Sequence, residues 1–164
     1  YEAALAHLNG HRIGESPKKA IESDLKGKEL DQLVSGKEIF ERDGYCATCH
    51  QPDGKGLEAS GFPPIVGSKW VTGNEERLIK LVTNGLMGPL EVNGKTYPGQ
   101  VPMTPFGKLL TPEETAAVLT YVRNSFGNKA SVITAAKVEE VREKIKDKTG
   151  FYSPEELLKE HPME

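Results

Sequence analysis

The 164-residue chain is poor in several residue types, and each shortage narrows what it can be. It has two cysteines, three methionines and one tryptophan, and aromatic residues make up 7% of it. Hydrophobic residues, at 37%, fall below the roughly 45–50% (glycine included) of an average domain. We therefore expect one domain with extensions, whose core needs additional stabilisation, and we exclude a large multidomain enzyme.

Long apolar runs and charge of one sign are also missing. The longest apolar stretches, such as residues 116–119, are far shorter than the roughly 20 residues that a bilayer span requires, so no transmembrane segment is predicted. The 21 basic and 24 acidic residues give a net charge of −3 and form no basic stripe, so nucleic-acid binding is not expected. The sequence opens at Tyr1 without a leader, which predicts a processed chain or an excised fragment.

Composition divides the chain into three parts. Residues 1–35 form a predicted N-terminal helical extension, residues 36–130 a central domain and residues 131–164 a C-terminal helical tail. In the first part a helix is predicted from Ser16-Pro17 to Val34. A second, short helix is predicted to begin at Ser35 and to end near Gly44, immediately before the cysteines.

Local start signals predict the remaining elements. Thr111-Pro112-Glu113-Glu114 is a capping box with proline at the first helical position, and Asn93-Gly94 supplies the turn of a hairpin over residues 91–97. No period of 20 to 50 residues recurs. Three further helices are predicted: from Asn74 to Gly85, from Thr134 to Lys148, and from Ser153 onward. The second of these has an apolar stripe formed by Val138, Val141 and Ile145. The sequence thus predicts an all-α fold with one small hairpin.

Residues 46–50, Cys-Ala-Thr-Cys-His, are the one strong chemical motif. Two thiols three residues apart can each add to a vinyl group of a haem, and the adjacent imidazole is then placed beneath the iron. A redox dithiol would need a βαβ surrounding that the helical pattern denies, and zinc would need four ligands where only two thiols and the scattered His7, His11 and His161 are available. The motif favours haem.

A closed sixth position on the iron would need a thioether from a loop after the motif. Met163 lies in the terminal tail, where we expect it to fray, and Met87 follows a predicted helix end, where a gap-filling core role is favoured. Met103 lies between Pro102 and Pro105, which stiffen the backbone around it. The sequence favours Met103 as the ligand.

These features, in this order and spacing, resemble the class I mono-haem c-type cytochromes. More particularly, the chain is similar to the cytochrome domains tethered to copper nitrite reductases and to sugar or alcohol dehydrogenases. The resemblance covers residues 36 to about 145. Its motifs are Gly36 with Phe40, Cys46 to His50, Gly61-Phe62-Pro63-Pro64-Ile65-Val66-Gly67, residues 92–97, Met103 before Pro105-Phe106, and the segment from Leu119 to Asn128 with Val118 and Tyr121.

The resemblance implies a cytochrome c fold with extra N- and C-terminal helices and one covalent haem c. It implies that Cys46 and Cys49 hold the haem, that His50 and Met103 are its proximal and distal iron ligands, and that Gly36 lets the first helix cross closely under Tyr121. The Pro63 carbonyl would accept a hydrogen bond from the free ring nitrogen of His50. Two further residues, Trp70 and Tyr97, could reach the haem propionates through their polar edges.

The implied function is one-electron transfer rather than enzymatic catalysis, with a donor dehydrogenase or an acceptor reductase or oxidase as redox partner. The rival is a peroxidase-like or ligand-binding haem protein whose sixth position is open, although neither a distal histidine nor an arginine is evident in residues 98–108. A third possibility is a docking module of a larger assembly. Covalent haem attachment in bacteria takes place outside the cytoplasm, so we expect a periplasmic or otherwise extracytoplasmic protein.

Overall fold

A computed structural model describes Ser23 and residues 25–164 of the chain. This part is mostly helical with one two-stranded antiparallel sheet, which confirms the predicted fold class. The helices are α1 (Lys28–Glu41), α2 (Cys46–His50), α3 (Lys69–Thr72), α4 (Glu75–Asn84), α5 (Pro112–Arg123), α6 (Ala135–Lys144) and α7 (Pro154–Glu160), with a 3₁₀ turn at Glu58–Ser60, and the strands are β1 (Leu90–Val92) and β2 (Lys95–Tyr97).

The predicted start signals of α5 and α7 form capping boxes. At α5 the Thr111 hydroxyl accepts from the Glu114 N–H at 3.1 Å, and the Glu114 carboxylate accepts from the Thr111 N–H at 3.0 Å. Ser153 and Glu156 make the same reciprocal pair at α7. Each box satisfies backbone donors that a helix start would otherwise leave without a partner.

The predicted hairpin is present between β1 and β2. Leu90 pairs with Tyr97 and Val92 with Lys95, so Asn93 and Gly94 form the two-residue turn. Their φ angles, 53° and 79°, are both positive, as a type I′ turn requires.

The predicted division into two helices at Ser35 is wrong. Helix α1 runs without a break from Lys28 to Glu41, and the earlier part of the predicted first helix, residues 16–22, lies outside the described residues. A serine within a helix costs only a few tenths of a kcal/mol. That cost is outweighed because Leu33, Gly36 and Phe40 lie on one buried face of α1.

Helices α1 and α5 cross in close contact, as the resemblance implies. A side-chain carbon at Gly36 would lie 2.0 Å from the Ala117 carbonyl oxygen and 2.8 Å from Tyr121 Cβ. The Phe40 ring packs beside the Tyr121 ring, with centroids 5.3 Å apart. Only a residue without a side chain allows this approach.

The C-terminal residues are packed into the same core. Ile133, Val138, Val141 and Leu157 are all fully buried. Helix α6 is shorter than predicted, because it ends at Lys144 and Ile145 forms its cap. No helix within residues 25–164 is long and apolar enough to cross a membrane.

Candidate functional site

Five of the predicted site residues line one cleft, and Pro63 is one of them. Cys46, Cys49, His50 and Met103 share a cavity of about 740 Å³, a volume that includes its open mouth. The cysteines and His50 come from α2, whereas Met103 comes from a loop more than fifty residues later in the sequence. The structure therefore brings together thiol, imidazole and thioether groups.

His50 is held in one protonation pattern. Its Nδ1 lies 2.7 Å from the Pro63 carbonyl oxygen, and because a carbonyl can only accept, Nδ1 carries the proton. Burial lowers the pKa of His50, although the hydrogen bond to Pro63 acts in the opposite direction. The ring is consequently neutral at physiological pH, and Nε2 keeps a lone pair for a metal.

Backbone and side-chain hydrogen bonds fix the loop that supplies this carbonyl. Near its start, the Gly56 N–H donates to the His50 carbonyl oxygen at 2.9 Å. At its end, the Gly67 N–H donates to the Asn128 side-chain oxygen at 2.9 Å. Asn128 is buried and also donates to the Val122 carbonyl oxygen at the end of α5, at 2.9 Å. The distance between His50 and its acceptor is thus set by the fold rather than by a free loop.

The two cysteines are one helical turn apart and are not joined by a disulfide. Both are half-buried on the cleft wall. Burial raises the pKa of the Cys46 thiol to about 11, with the nearby Cys49 adding a smaller contribution and a backbone hydrogen bond opposing it. A redox dithiol needs a depressed thiol pKa, so this environment does not suit one.

Met103 reaches the cleft from a backbone that is paired with another segment. Its N–H donates to the Leu86 carbonyl oxygen at 2.8 Å, and the Leu86 N–H donates back at 3.4 Å. Of the other methionines, Met87 is 49% exposed and does not line the cleft. The expectation that Met163 is frayed is wrong, because its sulfur lies 3.4 Å from an Arg77 guanidinium nitrogen.

The two aromatic residues predicted near the propionates do not line the cleft. Trp70 is buried, and its indole N–H donates to the Glu91 carbonyl oxygen at 3.0 Å. Tyr97 is 6% exposed at the end of β2, where it pairs with Leu90. Leu90 itself lines the cleft, so these two residues support a cleft wall, and a propionate contact stays a prediction for both.

Sequence reasoning missed several apolar wall residues. Tyr45 lines the cleft beside Phe106, with ring centroids 5.5 Å apart, and its position directly before Cys46 was an available signal. Leu86 and Leu90 also line the cleft. No local pattern could have found these two, because their place depends on pairing between distant segments.

The cleft suits a large, flat, apolar group with a metal at its centre. No lysine, arginine, aspartate or glutamate is among the described residues that line it. A porphyrin would bury its apolar faces there, thiols could bond its periphery, and imidazole and thioether could ligate its iron. The residues present therefore fit a haem.

Comparison with known proteins agrees with this fit. The family model described as "Cytochrome c" matches residues 33–126. A cytochrome c-552 of Thermus thermophilus is 34% identical over 126 residues, covering 68% of this chain and 82% of the relative.

Two dehydrogenase subunits match a similar share of the chain. The cytochrome c subunit of the quinone alcohol dehydrogenase of Gluconacetobacter polyoxogenes is 34% identical over 112 residues, which cover 67% of this chain. The fructose dehydrogenase cytochrome subunit of Gluconobacter japonicus is 32% identical over 120 residues, which cover 69% of it. In both cases the match spans only 23% of the relative's length.

Proposed function

Because the chain belongs to the cytochrome c family, we propose that it carries one covalently bound haem c with His50 and Met103 as axial ligands. As a member of that family it transfers electrons and is not itself a catalyst. The observation that carries the proposal is the meeting of Cys46, Cys49, His50 and Met103 at one apolar cleft.

The attachment is proposed to use both thiols of α2. Each sulfur would add to one vinyl group and form a thioether, with the thiol proton transferred to the vinyl carbon. The three-residue spacing presents both sulfurs to the same cleft, and His50 follows directly in the chain. The haem would also supply the apolar bulk that the lean composition lacks.

The ligand set explains why the function is electron transfer. Bound in the cleft, the haem iron supplies a ferrous/ferric couple. His50 would offer Nε2 to the iron while Pro63 holds its other nitrogen, and Met103 would supply a thioether ligand, which would leave no coordination position for a substrate. A thioether donates weakly and burial disfavours the ferric charge, and both effects raise the reduction potential.

The open-site alternative gains no support from the cleft. A peroxidase-like site would need a distal acid–base group, but among the described lining residues His50 is the only basic side chain. His50 is already committed to Pro63 through one nitrogen and faces the cleft with the other.

A redox protein is the proposed partner, either a donor dehydrogenase or an acceptor reductase or oxidase. The relatives named as subunits of alcohol and fructose dehydrogenases support a dehydrogenase as donor. The proposed location is the periplasm or another extracytoplasmic site, because covalent haem attachment in bacteria takes place there.

A near-infrared spectrum tests the ligand set. The oxidised protein should show the weak sulfur-to-iron band of a methionine-ligated haem, and Met103→Ala should abolish it. The matched control is Met87→Ala, which removes the same side chain from an exposed position outside the cleft. A band that survives Met103→Ala and disappears with Met87→Ala would contradict the assignment.

A further inference from the structure

Three chain segments pair side by side next to the cleft. The central one is residues 85–87, whose Leu86 exchanges two backbone hydrogen bonds with Met103. On the other side, the Met87 N–H donates to the Tyr152 carbonyl oxygen at 3.0 Å, and the Tyr152 N–H donates to the Gly85 carbonyl oxygen at 3.1 Å. Leu86 thus forms one bridge with Met103 and one with Tyr152.

The backbone of the Met103 loop has little other support. Within residues 98–105, all of which the structure describes, Met103 is the only residue that makes a backbone–backbone hydrogen bond. Pro102 and Thr104, its neighbours, are exposed. The place of Met103 therefore depends on the place of Leu86.

Residues around Tyr152 are firmly held on both sides. Before it, the Asn84 side chain donates to the Gly150 carbonyl oxygen at 3.2 Å. After it, Leu157 of α7 is fully buried, and the Glu160 carboxylate accepts from Lys80 of α4 at 2.9 Å. The C-terminal segment is thus anchored independently of the loop that it supports.

We propose that residues 150–153, the C-terminal clamp, position the axial ligand Met103 by holding residues 85–87 in register. The inference rests on the proposed role of Met103. Tyr152 is a positioning residue that acts through its backbone, and it lies outside the segment matched by the family model. Holding the loop in its ligating conformation lowers the entropic cost of ligation. Loss of the clamp should therefore weaken the bond between the Met103 sulfur and the iron, because a thioether is a weak donor.

Proline at position 87 removes one hydrogen bond of the clamp and keeps the other. It deletes the N–H that Met87 donates to Tyr152, whereas Met87→Ala keeps that N–H and loses the same half-exposed side chain. In Met87→Pro we expect the near-infrared band to weaken and the reduction potential to fall. On heating, the band should disappear before the far-UV circular dichroism signal of the helices does. In Met87→Ala all three should match the wild type.

A second pair of variants breaks the other hydrogen bond. Tyr152→Pro removes the N–H donated to Gly85, while Tyr152→Ala loses the same ring but keeps the N–H. This pair decides the question if Met87→Pro fails to fold. Any loss of stability from the missing ring is common to both members, so only the clamp separates their spectra.

Two results would overturn the inference, and they have different meanings. If the band is lost in Met103→Ala but is equal in Met87→Pro and Met87→Ala, the ligand assignment stands and the clamp does not position it. If the band survives Met103→Ala, the ligand assignment fails and the clamp fails with it.

Discussion

At the residue scale, the hydrogen bond between His50 and Pro63 fixes which ring nitrogen of His50 is free for a metal. A hydrogen bond from Nδ1 to a carbonyl makes the imidazole a stronger donor at Nε2. The Pro63 carbonyl is itself confined, because a side-chain carbon at Gly56 would lie 2.7 Å from its oxygen and 2.4 Å from that of Phe62.

Gly56→Ala should therefore displace the Pro63 carbonyl and weaken its bond to His50. A weaker imidazole donor stabilises ferric iron less, so we expect the reduction potential to rise by tens of millivolts, since about 59 mV corresponds to a tenfold change for one electron. Gly67→Ala is the control, because its φ of 66° is close to the 71° of Gly56, nothing lies within 4 Å of the added carbon and Gly67 does not line the cleft. Equal potentials measured by redox titration in both variants would refute this role of the carbonyl.

The sequence predicted much of the site at this scale because the groups are local or stiffened. Cys46, Cys49 and His50 lie within five residues, and Met103 is marked by its flanking prolines. The partner of the Trp70 indole could not be predicted in this way, since Glu91 approaches only after the hairpin folds against α3.

At the scale of elements, helices α1 and α5 cross in close contact at Gly36. This crossing places Phe40 against Tyr121 and, at 5.6 Å between ring centroids, against Phe126. Helix α1 also leads directly into the segment before α2. A change in the separation of α1 and α5 should therefore lower the stability of the whole domain.

Gly36→Ala should destabilise the protein by about 2 kcal/mol or more, because the added carbon meets rigid backbone of α5 and such overpacking typically costs about 1–3 kcal/mol. Ser35→Ala is the control, since Ser35 is an exposed neighbour on the same helix and alanine is a good helix former. Chemical denaturation of both variants measures the difference. Equal stabilities would show that the crossing has room to relax.

Two helix starts and the hairpin turn were predictable, whereas the pairing of residues far apart in the chain was not. Thr111, Ser153 and Asn93 act within three or four residues, so their signals are visible in the sequence. The unbroken α1 depends on burial against α5, which a serine in isolation does not reveal. The bridge from Tyr152 to Leu86 joins segments far apart in the chain and carries no local pattern.

At the scale of the whole molecule, the C-terminal residues extend the core that surrounds the cleft. The fully buried Arg77 of α4 donates to the His161 carbonyl oxygen at 2.9 Å and to the Glu164 carboxylate at 3.1 Å. The C-terminal tail is thus tied to α4. The division into residues 1–35, 36–130 and 131–164 stays a prediction.

Docking of this tail should weaken as the pH falls. His161 Nε2 lies 3.0 Å from Lys80 Nζ and 3.3 Å from the Glu76 carboxylate. Burial, with Lys80 adding to it, lowers the pKa of His161 below 6.5 in spite of Glu76 and Glu160. Below pH 6.5 the unfolded chain binds a proton that the folded chain does not, so the free energy of unfolding decreases.

A second decrease should follow at lower pH. Burial acts to raise the pKa of the Glu76 carboxylate, but hydrogen bonds from Lys144 and Lys80 outweigh this effect and hold that pKa below 4.5. The stabilisation that ionised Glu76 provides is present above pH 4.5 and is lost as the pH falls through the pKa of Glu76 in the folded protein. Unfolding measured from about pH 7 to about pH 4 should show the first decrease and the onset of the second, and His161→Gln should make the first decrease smaller and leave the second unchanged. Identical profiles for the two proteins would contradict this account.

The central claim, a single haem bonded to Cys46 and Cys49, is tested most directly by the mass of the intact chain. Protein made in a host that attaches c-type haem should carry the mass of one haem, and that mass should survive acid–organic extraction. In the Cys46→Ala/Cys49→Ala double variant the haem should be extractable or absent. A wild-type chain of unmodified mass, with all its colour lost to the organic phase, would contradict the account.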